Sequence, residues 1–115
     1  MTKSLIDRIK KHAAFVKTIE VPEWGVHDAP LIIRARAMSL SRHSSCMAKA
    51  RDGDGVLDEG LFKALIIYHT ALDDDGEKLF SLENVPDLQA ADGDVVERVY
   101  KAIVTAASLK DLEKN

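Results

Sequence analysis

Apolar residues near the start of the chain recur at spacings of three and four positions, the period of a helix that is apolar on one side. The residues at this spacing are Leu5, Ile9, His12, Ala13 and Val16. Ser4, followed three positions later by Asp7, has the form of a capping box. The pattern predicts a first helix over residues 5–17.

The pattern then changes to the alternation of strands. Residues 18–21 are mostly β-branched and alternate, and they end at Pro22 before a turn-like sequence at 23–25. Beyond Pro30, residues 31–36 alternate again late in the run, with Ile33 and Ala35 on one face and Arg34 and Arg36 on the other. Two short strands this close in sequence predict a small antiparallel hairpin.

A second helix is predicted in the middle of the chain, with Ser39 or Ser41 as its cap and an end before Gly53 and Gly55. Residues 58–72 are ambiguous, because their first half suits a buried helix and their second half has the β-branched and aromatic residues of a strand. The length of the segment favours the helix.

The segment that follows contains a turn signal and a short helix. Residues 73–76 read Asp-Asp-Asp-Gly, a sequence typical of a turn. Ser81 is placed to cap a helical stretch that Pro86 interrupts.

The last helix has the clearest pattern, and Asp92 or Asp94 is placed to cap it. Its apolar positions are Val95, Val96, Val99, Tyr100, Ile103, Val104, Ala106, Ala107 and Leu109. At 100° per residue they cover about 220° of the helix, well beyond the ~100° that one core face needs. Either neighbouring elements enclose this helix, or its edge around Tyr100 and Val104 meets another subunit or a partner chain.

Together these elements predict one α+β domain over residues 1–115, rich in helix, with a short β-hairpin and a long C-terminal helix. The length of 115 residues is that of one ordinary domain, and folding should remove roughly two-thirds of the unfolded chain's surface from water.

Charge and hydropathy exclude several classes of partner. The chain has 16 Lys and Arg against 19 Asp and Glu, a net charge of −3, so broad attraction to nucleic acid is not expected. No apolar run approaches the ~18 residues that span a bilayer, and residues 1–11 lack the apolar core of a signal peptide. The single cysteine, Cys46, agrees with a reducing cytoplasm.

Recognisable catalytic machinery is missing from the sequence. The four histidines lack the spacing of zinc ligands, and the glycines lack the Lys and Ser or Thr of a phosphate-binding loop. His43 and Cys46 are three positions apart, a spacing that brings many unrelated side chains together on any helix. The sequence also identifies no carboxylate that would orient the histidine as a base. We therefore expect a protein without enzymatic activity, metal or cofactor.

The acidic turns do not fit a calcium loop. With Gly55 or Gly76 at the sixth position of an EF-hand loop, the twelfth position falls on Leu61 or Leu82, which cannot supply the carboxylate needed there. These aspartates are expected to form turns and helix caps instead.

Two further groups of residues allow alternative interpretations. Trp24 is either an exposed anchor for a partner or a plug that closes the hairpin against the core. The basic residues Arg34, Arg36, Arg42 and Arg51 form either a solvated face or a surface for nucleic acid or an acidic protein.

Two stretches of the sequence resemble the tail assembly chaperones of long-tailed bacteriophages. One is residues 19–25, Ile-Glu-Val-Pro-Glu-Trp-Gly. The other is residues 73–109, with Asp-Gly-Glu-Lys-Leu-Phe at 75–80 followed by Val85, Leu88, Val95, Val96, Arg98 and Ile103. The middle of the chain, residues 37–72, has no matching signature.

This resemblance implies a non-catalytic protein of the infected host's cytoplasm, which coats the tape measure protein and keeps it soluble while tail tube subunits assemble around it. It implies a homo-oligomer that is absent from the finished virion. It also implies a longer form, made by ribosomal frameshifting, that recruits the tail tube protein. Partner-binding residues are expected at Trp24, Tyr100 and Val104; the alternative function is a small regulatory module that binds protein or nucleic acid.

Overall fold

Helices and one small sheet alternate along the chain in the computed structural model, which describes residues 2–13, 16–26 and 28–105. In chain order the elements are α1 (Thr2–Ala13), β1 (Val16–Val26), β2 (Ala29–Arg36), α2 (Leu40–Lys49), α3 (Glu59–Thr70), β3 (Ala71–Leu72), a 3-10 turn (Leu82–Asn84), α4 (Val85–Ala90) and α5 (Gly93–Val104). The predicted class, a helix-rich α+β domain with a hairpin and a C-terminal helix, is confirmed.

The sheet has three antiparallel strands in the order β1-β2-β3. β1 does not stop at Pro22 but continues to Val26, with a register irregularity between Val21 and Val26, so the predicted turn at 23–25 is wrong. Pro22 is tolerated because β1 is an edge strand. The strands reverse around Asp28, whose φ of 66° is unusual for a residue with a side chain.

The first helix is shorter than the pattern predicted. α1 ends at Ala13 and β1 already begins at Val16, so the predicted extension to residue 17 is wrong. Ser4 lies inside the helix, which begins at Thr2, and the predicted capping box is therefore wrong as well.

Residues 58–72 contain a helix followed directly by a strand. α3 runs to Thr70, capped by an Asp58 side chain that accepts from the backbone N–H of Leu61. The chain then enters β3, which pairs Ala71 with Ala35 of β2. The helical interpretation is confirmed to residue 70, and the third strand was not predicted.

The caps of the other helices settle the alternatives left by the sequence. Ser39 caps α2 and Asp92 caps α5. Pro86 does not interrupt a helix; it lies in the first turn of α4, where a missing N–H costs nothing.

The core lies between the sheet and the helices, with α3 in its middle. α3 contacts α2, α4 and α5 and buries six of its twelve residues: Phe62, Ala64, Leu65, Ile66, Ile67 and Thr70. The sheet adds the buried side chains of Val21, Ile33 and Ala35. The hydroxyl of buried Thr70 donates to the carbonyl of Ile66, so its polar atom is satisfied.

Candidate functional site

The apolar surface of α5 divides into a buried stripe and an uncovered edge. Val95, Val96, Val99 and Ile103 are buried against α3, α4 and β1. At 100° per residue these four positions span about 100°, the width of one core face. Ala106, Ala107 and Leu109 lie outside the described residues. Neighbouring elements thus cover one face of α5, and Tyr100 and Val104 lie beyond it.

Tyr100 is half-buried against α3. Its ring meets Phe62 edge to face at 6.3 Å between centroids, and the Lys63 ammonium lies 5.4 Å from the ring centre. These contacts hold the ring in place while leaving part of it accessible. Tyr100 is therefore both a packing residue and part of an accessible surface.

Val104 is 38% exposed, one helical turn beyond Tyr100. The last turn of α5 is held to the sheet by Lys17 of β1, whose ammonium donates to the carbonyls of Ala102, at 2.9 Å, and Thr105. The apolar side chain of Val104 is thus presented from a positioned helix end.

Charged side chains border this edge. Glu97 accepts a hydrogen bond from Lys63 and lies 3.9 Å from Lys101. The hydrogen bond from Lys63 holds the pKa of the Glu97 carboxyl below its ordinary value. An apolar strip with a charged rim is the usual composition of a protein-binding surface. The α5 edge, Tyr100 and Val104, is accordingly one candidate site.

Trp24 lies at a second apolar surface. It is half-buried, and its ring meets Phe80 edge to face at 6.4 Å. Both rings line a groove of about 320 Å³. Its other lining residues are Asp87 and Leu88 of α4 and the two residues that flank this helix, Asn84 and Ala91. Trp24 therefore packs against the core, as a plug does, and also leaves one side open to a groove.

Trp24 and the α5 edge contact different elements. Trp24 faces Phe80 and α4, whereas Tyr100 faces Phe62 and Lys63 of α3. An exposed ion pair between Glu23 and Arg98 joins β1 to α5. The Trp24 groove and the α5 edge are thus separate surfaces of one domain.

The basic residues are dispersed and mostly solvated, with one concentration around His69. Arg51 donates to the carbonyl of Gly55 and Arg34 to that of Asp74, both at exposed positions. Burial lowers the pKa of His69, and the nearby cations lower it further. These cations are Lys78, Lys49, Arg42 and Arg36. The Nε of Arg36 is buried and has no hydrogen-bond partner.

The geometry of the His43 and Cys46 pair does not suit a nucleophile. Cys46 is fully buried, and this burial raises the pKa of its thiol despite the nearby Lys49 and Arg42. The His43 ring packs edge to face on Phe62, with 5.4 Å between centroids. A reactive thiol needs a lowered pKa and solvent access, so Cys46 is a core residue.

Both acidic turns have the same hydrogen-bonding pattern. Asp52 Oδ1 accepts from the N–H groups of residues 54 and 56, and Asp73 Oδ1 accepts from those of residues 75 and 77. Gly55 and Gly76 supply the positive φ, 80° and 81°, that such tight reversals require. The prediction that these aspartates form turns is confirmed.

Within residues 2–13, 16–26 and 28–105, no three His, Cys, Asp or Glu side chains converge as a metal site would require. The helices in these same ranges are all too short or too polar to cross a membrane.

Comparison with known proteins gives no assignment: no family model matches the chain, and searches of curated proteins and of solved structures return no match.

The sequence does not predict the groove beside Trp24. Its lining comes from β1 and from residues 80–91, which are far apart in the chain. Each segment has an ordinary local pattern, so no periodicity marks the groove. The two stretches that carry the resemblance, residues 19–25 and 73–109, include these lining residues, but the resemblance did not predict that the two stretches are in contact.

Proposed function

We propose that this protein is a non-catalytic tail assembly chaperone of a long-tailed bacteriophage, which coats the tape measure protein in the host cytoplasm. The observation that supports it best is the α5 edge, where Tyr100 and Val104 extend the apolar surface beyond the stripe that the core covers. The resemblance of residues 19–25 and 73–109 to these chaperones supplies the identity of the client.

In this mechanism, several copies of the chain bind along an elongated client and cover its apolar surface. Each copy offers a small apolar edge with charged residues beside it, so one contact is weak and many contacts along one client are strong. Bound client is withdrawn from aggregation by mass action. In the longer frameshifted form, the extension would recruit tail tube subunits, and the finished virion would lack the protein.

The test is co-expression with the longest neighbouring open reading frame. The mass of the soluble complex is measured by size-exclusion chromatography with light scattering. We expect many copies of the chain per client. A chain that elutes without the client, while the client precipitates as it does alone, would contradict the proposal.

A variant of the α5 edge makes this test specific. Val104→Asp introduces a charge where the client is proposed to bind, and we expect fewer copies per client. Val56→Asp is the matched control, because Val56 is 62% exposed and directly follows the 52–55 turn, outside α5. Circular dichroism should show the same fold for both. An equal effect of the two substitutions would remove the α5 edge from the proposal.

A second candidate function, binding of nucleic acid or an acidic protein, is favoured by the cations around His69. The three ion pairs found among the described residues involve other cations, so Arg36, Arg42, Lys49 and Lys78 keep their charge available. If this surface binds DNA or RNA, fluorescence anisotropy of a labelled oligonucleotide should show affinity that falls steeply with salt. Absence of binding at low salt would eliminate the nucleic-acid version.

A further inference from the structure

The helix α1 presents an apolar face that the other described residues leave uncovered. Leu5, Ile6 and Ile9 lie on one side of the helix and are 49%, 42% and 54% exposed. Every described side chain from Ser4 to Lys11 is exposed. A helix of 12 residues is marginal alone in water and is ordinarily stabilised by packing of its apolar face. We therefore expect this face to pack against a partner surface that stabilises the helix.

The charge of α1 is opposite to that of the remaining chain. The helix has four basic residues and one acidic residue, a net charge of +3. Because the whole chain has a net charge of −3, the rest of it carries −6. A basic amphipathic helix on an acidic protein is complementary to that protein's own surface.

The groove beside Trp24 has the matching properties. Its walls are largely apolar, from Trp24, Phe80, Leu88 and Ala91, and its volume of about 320 Å³ has room for aliphatic side chains. One side of the groove comes from Asn84, Asp87, Leu88 and Ala91. The segment that holds them, residues 82–94, includes four exposed carboxylates and no Lys or Arg, and one of these carboxylates, Asp87, lines the groove itself. The four carboxylates are those of Glu83, Asp87, Asp92 and Asp94.

The helix α1 does not occupy the groove of its own chain, because none of the described residues that line the groove belongs to α1. Trp24 lies eight strand residues beyond Val16, or about 25 Å at the rise of a β-strand. Ile9 lies about 6 Å along the helix from Ala13, and the two residues between α1 and β1 add a reach of at most ~11 Å. Ile9 therefore stays roughly 8 Å short of Trp24 even on an extended connection. The apolar face of α1 as a whole, with Leu5, Ile6 and Ile9, can thus dock only in the groove of another molecule.

We propose that α1 of one copy docks in the Trp24 groove of a second copy, with Leu5, Ile6 and Ile9 against the apolar walls. The basic residues of α1 then face the carboxylates of residues 82–94. This contact joins two different surfaces, so each dimer keeps one free helix and one free groove, and copies add head to tail. Such a chain of copies suits an elongated client, and in that respect the assignment rests on the proposed chaperone function.

Two complementary variants of the full chain test the contact without any client. Ile9→Glu places a carboxylate on the docking face of α1. Ala91→Arg fills the groove with a cation and leaves α1 intact. Leu40→Glu is the control, because Leu40 is 84% exposed on α2 and lies on neither surface. Asp87→Lys, at an exposed position of the groove rim, serves as a second groove variant if Ala91→Arg does not fold.

Sedimentation velocity and light scattering over a concentration series provide the readout. The wild type and Leu40→Glu should increase in mass with concentration, and added salt should weaken this association. Ile9→Glu alone and Ala91→Arg alone should remain monomeric. Mixed together, they retain one intact helix and one intact groove between them, so the mixture should form a dimer and nothing larger.

Several results would overturn the assignment. These are a wild type that stays monomeric at all concentrations, single variants that assemble like the wild type, or a mixture that stays monomeric. Binding of wild type but not Ile9→Glu to anionic phosphatidylglycerol vesicles, with no self-association, would assign α1 to a lipid surface instead. If the chain does not self-associate but forms a complex with the client, only this interface is wrong. If the chain self-associates but forms no complex with the client, the chaperone function is wrong and the interface remains.

Discussion

At the scale of single residues, the tip of the hairpin depends on the absence of one side chain. A Cβ on Gly25 would lie 1.8 Å from the carbonyl oxygen of Ala29 and 2.8 Å from the Cα of Pro30. Both contacts are with backbone, which cannot move aside as a flexible side chain can. Gly25 thus permits the close approach of β1 and β2 just before the chain reverses.

Gly25→Ala should therefore destabilise the protein by about 2 kcal/mol, the usual range for overpacking. Urea denaturation followed by circular dichroism measures the change. Gly53→Ala is the matched control, since nothing lies within 4 Å of a Cβ at Gly53 and its φ is not positive. That substitution should alter stability by less than ~0.5 kcal/mol. Equal stabilities of the two variants would show that the hairpin tip opens at little cost.

At the scale of elements, the two helices that hold the α5 edge, α3 and α5, each begin at an aspartate side-chain cap. Asp92 Oδ1 accepts from the N–H of Asp94, at 2.9 Å, and from that of Val95. These N–H groups have no partner within the helix, so the cap sets where α5 begins. The position of Tyr100 and Val104 relative to the core follows from that start.

Asp92→Ala should cost about 1 kcal/mol, because two N–H groups of the first turn lose their acceptor. Asp94→Ala tests whether charge alone explains the effect. Asp94 is also an exposed carboxylate of the first turn but is not the cap, so its removal should cost only a few tenths of a kcal/mol through the helix dipole. Thermal unfolding of both variants provides the comparison; an equal loss would mean that the hydrogen bonds of Asp92 contribute little.

At the scale of the whole molecule, charges from several elements converge on one histidine. His69 belongs to α3, Arg36 to β2, Arg42 and Lys49 to α2, and Lys78 follows β3. Burial and these four cations lower the pKa of His69 from its ordinary value of 6.5. Lys78 also lies over the Tyr68 ring, with its ammonium 4.0 Å from the ring centre. The folded state consequently favours the neutral imidazole.

A lowered pKa makes folding stability depend on pH in a definite direction. Between the folded pKa and the unfolded value of 6.5, the unfolded chain binds more protons, so stability falls as the pH is lowered. The wild type should lose more thermal stability between about pH 7.5 and pH 5.5 than His69→Gln, which cannot be protonated there. Above about pH 7.5 the two melting curves should shift in parallel. A larger loss in the variant would show that His69 gains a proton on folding.

Local chemistry explains which features could be predicted from the sequence. Ser39 and Asp92 cap helices, and Asp73 with Gly76 forms a turn, because each acts on N–H groups two to four residues away. The excess apolar width of the last helix was also visible, since it depends only on the helical period. The hairpin was predicted as an element, but its turn was misplaced because a local register irregularity lengthens β1.

Contacts between distant segments decided the rest. β3 exists because Ala71 and Leu72 meet the free edge of β2, and their own sequence carries too few residues to signal a strand. The groove exists because Trp24 meets Phe80 and α4. The sequence by itself determined that the helices exist, that the aspartates form turns, and the charge of α1, because these features depend on near neighbours or on composition. Only the tertiary structure decided which apolar surfaces are covered, because burial depends on side chains that are far apart in the sequence and meet in the fold.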